Sequence, residues 1–144
     1  TNNCFVKKKV LKNNIKFSEK LNLIGGEDQL FFLLKKNKGF KISWNKNAKV
    51  FEEKNIYRET LSWFIRRNFR YGASSSIIYK NAYGYTIGMY FLIMKIILDL
   101  IRLLFYFVIS IGLSKKNFYK FIMYLSRFFG SICGLIGFQY KEYA

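Results

Sequence analysis

Apolar residues recur at helical spacing in two stretches of the first half of the chain. The first stretch runs from Glu27 to Lys38 and ends in several lysines followed by Gly39. Cations in the last turn and then a glycine are typical of a helix C-terminus. The second stretch covers 60–71 and mixes apolar and basic positions. The pattern therefore predicts helices over 27–38 and 60–71.

Other short segments show different patterns. Apolar and polar residues alternate from Phe40 to Trp44, which is the period-2 pattern of a half-buried strand. A second short strand is predicted over 49–52, and a short helix over 10–15. These elements predict an α/β layer in the first half of the chain.

The second half of the chain is far more apolar. Residues 86–113 contain only three charges, Lys95, Asp99 and Arg102. At 100° per residue these charges lie within about 60° of one another. Lys95–Asp99 and Asp99–Arg102 have helical i,i+4 and i,i+3 spacings, so we expect two ion pairs on one long helix.

A second apolar stretch, 118–138, follows the loop at Lys115-Lys116 and predicts another long helix. Gly130, Gly134 and Gly137 lie near its end, where small residues permit close helix approach. The two helices predict a membrane-associated hairpin over 83–144.

Whether this hairpin spans a membrane or lies in its interface is open from the sequence. The first helix would be about 42 Å long, more than the roughly 30 Å hydrocarbon core. Spanning, however, would place the Lys115-Lys116 loop on the far side, against the positive-inside tendency. A hairpin buried in a larger protein is the remaining alternative.

Composition and charge narrow the class of protein. The chain has 144 residues, a formal net charge of +17 and 51% hydrophobic residues. Its length suggests one domain, and its apolar content excludes intrinsic disorder. The absence of His excludes catalysis and zinc binding by histidine within the sequence. Of the 25 basic residues, 18 lie in 1–82.

Gly25-Gly26-Glu27-Asp28 is the sharpest local feature of the sequence. Gly25 and Gly26 allow a tight turn and the close approach of a ligand. Glu27 and Asp28 follow at a predicted helix start, where negative charge is favoured. A carboxylate there can act as a general base towards an attacking hydroxyl. The alternative is that both residues only cap the helix, with a contribution of about 1 kcal/mol.

The second feature is the arginine-rich segment 66–72. Arg67 and Arg70 are three residues apart, so both project from one helix face. A guanidinium group binds two phosphate oxygens at once. The alternative is a basic helix lying against anionic lipid.

Taken in order, these motifs resemble the family 2 glycosyltransferases, in particular the bacterial subgroup near the succinoglycan-type exopolysaccharide glucosyltransferases. The resemblance covers nearly the whole chain and rests on segments 1–8, 25–32, 39–44, 48–52, 63–72, 127–134 and 140–143.

The resemblance implies a GT-A fold and an inverting sugar transfer from a nucleotide-sugar donor to an acceptor hydroxyl. If the roles of the family's residues apply here, Asp28 would deprotonate the acceptor, and Glu27 would support the acceptor or the loop. Gly25-Gly26 would lie at the substrate. Arg67, Arg70 and Tyr71 resemble the Gln/Arg-x-x-Arg-Trp substrate-binding element, with Tyr71 in place of Trp.

The nucleotide-binding half of that family is not recognisable, and the sequence contains no Asp-x-Asp motif. We therefore expect a C-terminal, acceptor-side fragment, with a partial GT-A domain over 1–82 followed by the hairpin. It should be inactive alone and need the missing N-terminal half. A divalent metal, Mg or Mn, is expected for the complete enzyme, with ligands mostly in that half.

The expected partners are a nucleotide-sugar donor, a glycan or lipid-linked acceptor and a membrane. The expected place is the cytoplasmic face of the bacterial inner membrane, in polysaccharide biosynthesis. A non-catalytic, basic, membrane-anchored interaction protein is the alternative. Nucleic-acid binding is not expected, because the sequence has no recognised reader motif.

Overall fold

The computed structural model describes residues 3–11, 16–53, 56–110 and 114–140. Two short 3₁₀ turns, Glu19–Leu21 and Ile56–Glu59, accompany the α-helices. The α-helices are α1 (Lys8–Leu11), α2 (Glu27–Asn37), α3 (Leu61–Tyr83), α4 (Tyr85–Ser110) and α5 (Lys115–Leu135).

The predicted α/β class and GT-A fold are wrong, because the described part of the chain forms helices and no strand. Segments 40–44 and 49–52 keep their alternating sequence pattern but adopt no regular secondary structure. A strand needs hydrogen bonds from a neighbouring strand, and none is formed by the described residues. Trp44 is accordingly 89% exposed instead of packed in a core.

The predicted helices are present with different bounds: α3 continues to Tyr83 instead of ending near residue 71, and α5 begins at Lys115, where the sequence predicted a loop. Helix α2 begins at Glu27, after Gly26 in a left-handed conformation (φ +96°). Helix α3 begins after Thr60, whose hydroxyl accepts a hydrogen bond from the Trp63 amide. The short predicted helix over 10–15 is only partly visible as α1, since 12–15 lie outside the described residues.

Helix α2 is held by an apolar cluster. Leu30 on its inner face packs with Leu21, Ile24 and Ile78, and all four are buried. Ile78 belongs to α3, so this cluster fixes the start of α2 against the middle of α3. The position of the Gly25–Asp28 motif follows from this packing.

Helices α3 and α5 approach each other closely through glycines. A Cβ at Gly130 would lie 2.1 Å from the Phe69 carbonyl oxygen, and one at Gly134 would lie 2.3 Å from that of Ala73. The expectation of close approach is therefore confirmed at Gly130 and Gly134. At Gly137 no atom lies within 4 Å among the described neighbours.

Helix α4 buries Asp99 and most of Lys95 from its charged stripe, whereas Arg102 is half-exposed. Lys95 and Asp99 form an ion pair of 2.7 Å, and Arg102 lies 4.0 Å from the other Asp99 oxygen. Both predicted pairs are thus confirmed. The Lys95 ammonium group also donates to the Ser131 hydroxyl at 2.8 Å, which joins α4 to α5.

The sequence left open whether the predicted hairpin spans a membrane, and the helices that the structure describes do not support spanning. None of them is long and apolar enough to cross a membrane. In α4 any 18-residue stretch includes Lys95, Asp99 and Arg102. The predicted division at 82/83 stays a prediction.

Candidate functional site

The Gly25-Gly26 turn lies directly against α3. A Cβ added to Gly25 would come within 2.8 Å of Arg70 Nη1. One added to Gly26 would come within 2.7 Å of Ile78 Cδ1 and 3.6 Å of Ser74 Oγ. Both glycines have a positive φ, which side chains other than glycine rarely adopt. The turn therefore lies close to α3 at both glycines, against the ends of the Arg70 and Ile78 side chains.

This packing brings two motifs together that are far apart in the sequence. Gly25–Asp28 opens α2, whereas Arg70 belongs to the arginine-rich part of α3. Arg70 is only 5% exposed. A guanidinium group is rarely buried to this extent without a specific polar environment. Gly25, Gly26 and Arg70 thus form one site.

Two carboxylates directly follow the Gly25-Gly26 turn. Glu27 and Asp28 occupy the first turn of α2 and both are half-buried. The Oδ1 atom of Asp28 accepts a hydrogen bond of 2.7 Å from the Gln29 amide. The Oε2 atom of Glu27 is buried and has no hydrogen-bond partner among the described residues. Glu27 is therefore more than a solvated helix cap.

Three arginines surround the ring of Tyr71. The guanidinium carbon lies 5.2 Å from the ring centroid for Arg67, 5.6 Å for Arg70 and 5.8 Å for Arg127. Arg67 also lies over the Trp63 ring at 4.9 Å. Cations within about 6 Å of a ring centroid are attracted to it. The aromatic rings thus hold together a cluster of positive charge.

Arg127 is the residue of this cluster that was not predicted as a site residue. It belongs to α5, and its Nε donates a hydrogen bond of 2.9 Å to Oδ1 of Asn68 on α3. Its position depends on the close packing of Gly130 against α3. In the sequence, the glycines of α5 indicate close packing against another helix. They do not identify α3 as that helix.

The predicted site residues therefore fall in one region of the fold. Gly25 contacts Arg70, and Arg70 shares the Tyr71 ring with Arg67. Clustered guanidinium groups suit a phosphate or diphosphate, and a nearby carboxylate suits proton transfer. The arrangement combines anion binding with a candidate base.

The described residues contain no cluster of metal ligands. In the ranges that the structure describes, no group of three or more Cys, Asp or Glu side chains is placed to hold a metal ion. We assign no metal role to these residues.

One tyrosine outside the site has an altered acidity. The pKa of Tyr79 on α3 is raised above its ordinary value. Burial of the phenol contributes most, followed by the negative charge of Asp99 and then by Tyr83. The charged stripe of α4 therefore acts electrostatically on α3.

Comparison of the chain with protein-family models, with curated proteins and with solved structures finds no match. Function is therefore inferred from the geometry of the site.

Proposed function

We propose that this chain supplies the acceptor side of an inverting glycosyltransferase. The observation that carries the proposal is the contact between the Gly25 turn and the Arg70 guanidinium group. It places an acidic helix start beside a cluster of arginines, which is what transfer from a diphosphate leaving group requires. The proposal rests on the site and not on the fold, since one chemistry occurs on different folds.

In this proposal Asp28 takes the proton from the acceptor hydroxyl. The hydroxyl oxygen then bonds to the anomeric carbon of the donor sugar, and the bond from that carbon to the diphosphate breaks. The nucleoside diphosphate leaves with the bonding electron pair. Glu27 orients the acceptor or the loop, and Arg67 and Arg70 stabilise the negative charge of a phosphate group.

The donor nucleotide has to be bound by residues outside this sequence, which contains no Asp-x-Asp motif. Segments 40–44 and 49–52 expose apolar side chains that such a partner could cover, among them Trp44 and Phe51. A divalent metal, if the complete enzyme uses one, would be held there too. Action on a glycan or lipid-linked acceptor at the cytoplasmic face of the inner membrane stays a prediction.

The proposal is tested at the natural locus, so that any partner is present. Extracts are supplied with labelled nucleotide sugars, and the product is defined as the labelled glycan that disappears when the chain is deleted. Asp28→Asn should then reduce formation of this product by about 100-fold or more, as expected for a general base.

The matched control is Glu53→Gln, the same carboxylate-to-amide change at an exposed position. It should leave transfer unchanged at equal protein level. The proposal is overturned if deletion removes no labelled product, or if Asp28→Asn leaves the product at the wild-type rate.

A further inference from the structure

Helix α4 exposes an apolar face along its whole length. At 100° per residue, its exposed apolar positions cover about 200° of the helix circumference. The 26 residues of α4 make this face about 39 Å long. Its most exposed members are Tyr85, Tyr90, Ile101, Leu104, Phe105 and Val108.

The opposite side of α4 carries its charged residues, of which Asp99 and most of Lys95 are buried and Arg102 is half-exposed. Asp99 is 3% exposed and bonds to Lys95, which reaches Ser131 on α5. A helix on a water-exposed surface has the reverse arrangement, with its apolar stripe inward. Ionisable residues that face the interior of a bundle while apolar ones face outward are typical of helices surrounded by lipid.

Cations lie at the borders of this apolar face. The Lys80 ammonium group lies 5.2 Å from the ring centroid of Tyr85, at the start of α4. Arg102 is half-exposed beside the face. Lys115 and Lys116 are exposed at the start of α5, shortly after α4 ends. Apolar area and positive charge therefore occur together.

We propose that the apolar face of α4 binds the surface of an anionic lipid bilayer, with the helix lying along the interface. The face would enter the boundary between headgroups and acyl chains, and the four bordering cations would meet the lipid phosphates. This inference concerns a surface distinct from the Gly25–Arg70 site and does not depend on the proposed transfer reaction.

A second copy of the chain is the less suitable occupant. Each copy carries a net charge of +17. Pairing through α4 would bring Arg102 and the lysines of both copies together, and like charges at an interface are unfavourable. An anionic bilayer complements both the apolar area and the charge.

The test measures binding of the purified chain to vesicles of phosphatidylcholine with 30% phosphatidylglycerol (roughly the content of an anionic membrane). The variant Ile101→Glu/Leu104→Glu places two charges on the face, where both side chains are 57% exposed. We expect its partition coefficient to fall at least about tenfold. Binding of the wild-type chain should also fall on pure phosphatidylcholine.

The matched control is Val50→Glu/Phe51→Glu, which adds the same charge at exposed apolar positions outside α4. It should keep most of the binding. Equal losses in both variants would attribute binding to net charge and overturn the role of α4. Absence of vesicle binding, or self-association that only the α4 variant abolishes, would also overturn it.

A second measurement defines the orientation of α4 in the bilayer. Environment-sensitive labels are attached to cysteines introduced at Tyr90 or Leu104, with Cys4 and Cys133 replaced by Ser. The two positions are about 21 Å apart along the helix. The depth of each label is measured by quenchers attached to the lipids. If the helix lies in the interface, both labels should be at the same shallow depth, and clearly different depths would contradict the proposal.

Discussion

Gly25 and Arg70 are separated by 45 positions in the sequence, yet the backbone of one lies against the guanidinium group of the other. A Cβ at Gly25 would be 2.8 Å from Nη1 and 3.1 Å from Cζ of Arg70. Such distances are closer than carbon atoms make in packed proteins. The start of α2 and the arginine-rich part of α3 therefore pack directly against each other. A substitution in one should change the packing of the other.

Gly25→Ala should destabilise the fold by more than its backbone conformation alone explains. A side chain at φ +77° costs roughly 1–2 kcal/mol, and the clash with Arg70 adds about 1 kcal/mol or more. Gly39→Ala is the control, because Gly39 has φ +82° and no described atom within 4 Å of its added Cβ. Urea unfolding of both variants measures the difference, and equal losses would contradict the contact.

Lys95→Met should leave the Asp99 carboxylate buried without its closest cation. Removing one partner of a buried ion pair costs about 3 kcal/mol, and the Ser131 hydroxyl loses a hydrogen bond as well. Lys36→Met, at an exposed lysine of α2, should change stability by less than about 0.5 kcal/mol. Thermal unfolding at constant ionic strength compares them. If both variants change stability by a similarly small amount, the Lys95–Asp99 ion pair does not stabilise the fold.

Tyr79 should ionise at higher pH than a tyrosine in an unfolded chain, because burial and Asp99 raise its pKa. The folded state then holds the Tyr79 proton longer than the unfolded state. The Tyr79 contribution is present below about pH 10 and is lost as the pH rises through the folded-state pKa. Stability should therefore fall with pH in that window.

Ultraviolet titration of tyrosinate measures this directly, as the difference between the wild type and Tyr79→Phe. Asp99→Asn should shift the Tyr79 component to lower pH, because it removes the second cause of the raised pKa. A difference curve with the midpoint of free tyrosine would contradict the packing of Tyr79.

The helices were predictable because each carries its own local signals. The lysines before Gly39 end α2 near the predicted residue, and the pairs of Lys95 with Asp99 and Asp99 with Arg102 follow from helical spacing. The strands were not predictable in the same way. Alternation at 40–44 indicates which side chains could share a face, but a strand also needs a neighbour.

The candidate site was predictable in its parts and not in its assembly. The chemistry of Asp28 and Arg70 identifies each motif by itself, whereas the close approach of the Gly25 turn to Arg70 depends on the packing of Leu30 against Ile78. Arg127 enters through α5, and segment 127–134, which is part of the resemblance, does not indicate that Arg127 meets α3. Likewise, hydropathy finds the apolar face of α4 but does not say that most of the charged stripe is on the buried side.

A double-mutant cycle measures whether the acidic motif and the arginine motif act as one site. Asp28→Glu, Arg70→Lys and the combined variant are introduced at the natural locus, and transfer to the chain-dependent product is measured at equal protein level. Residues that act as a unit give non-additive losses. The account predicts that two single losses of about tenfold each combine to clearly less than about 100-fold. Losses that multiply fully would show that Asp28 and Arg70 act independently, and would contradict the account.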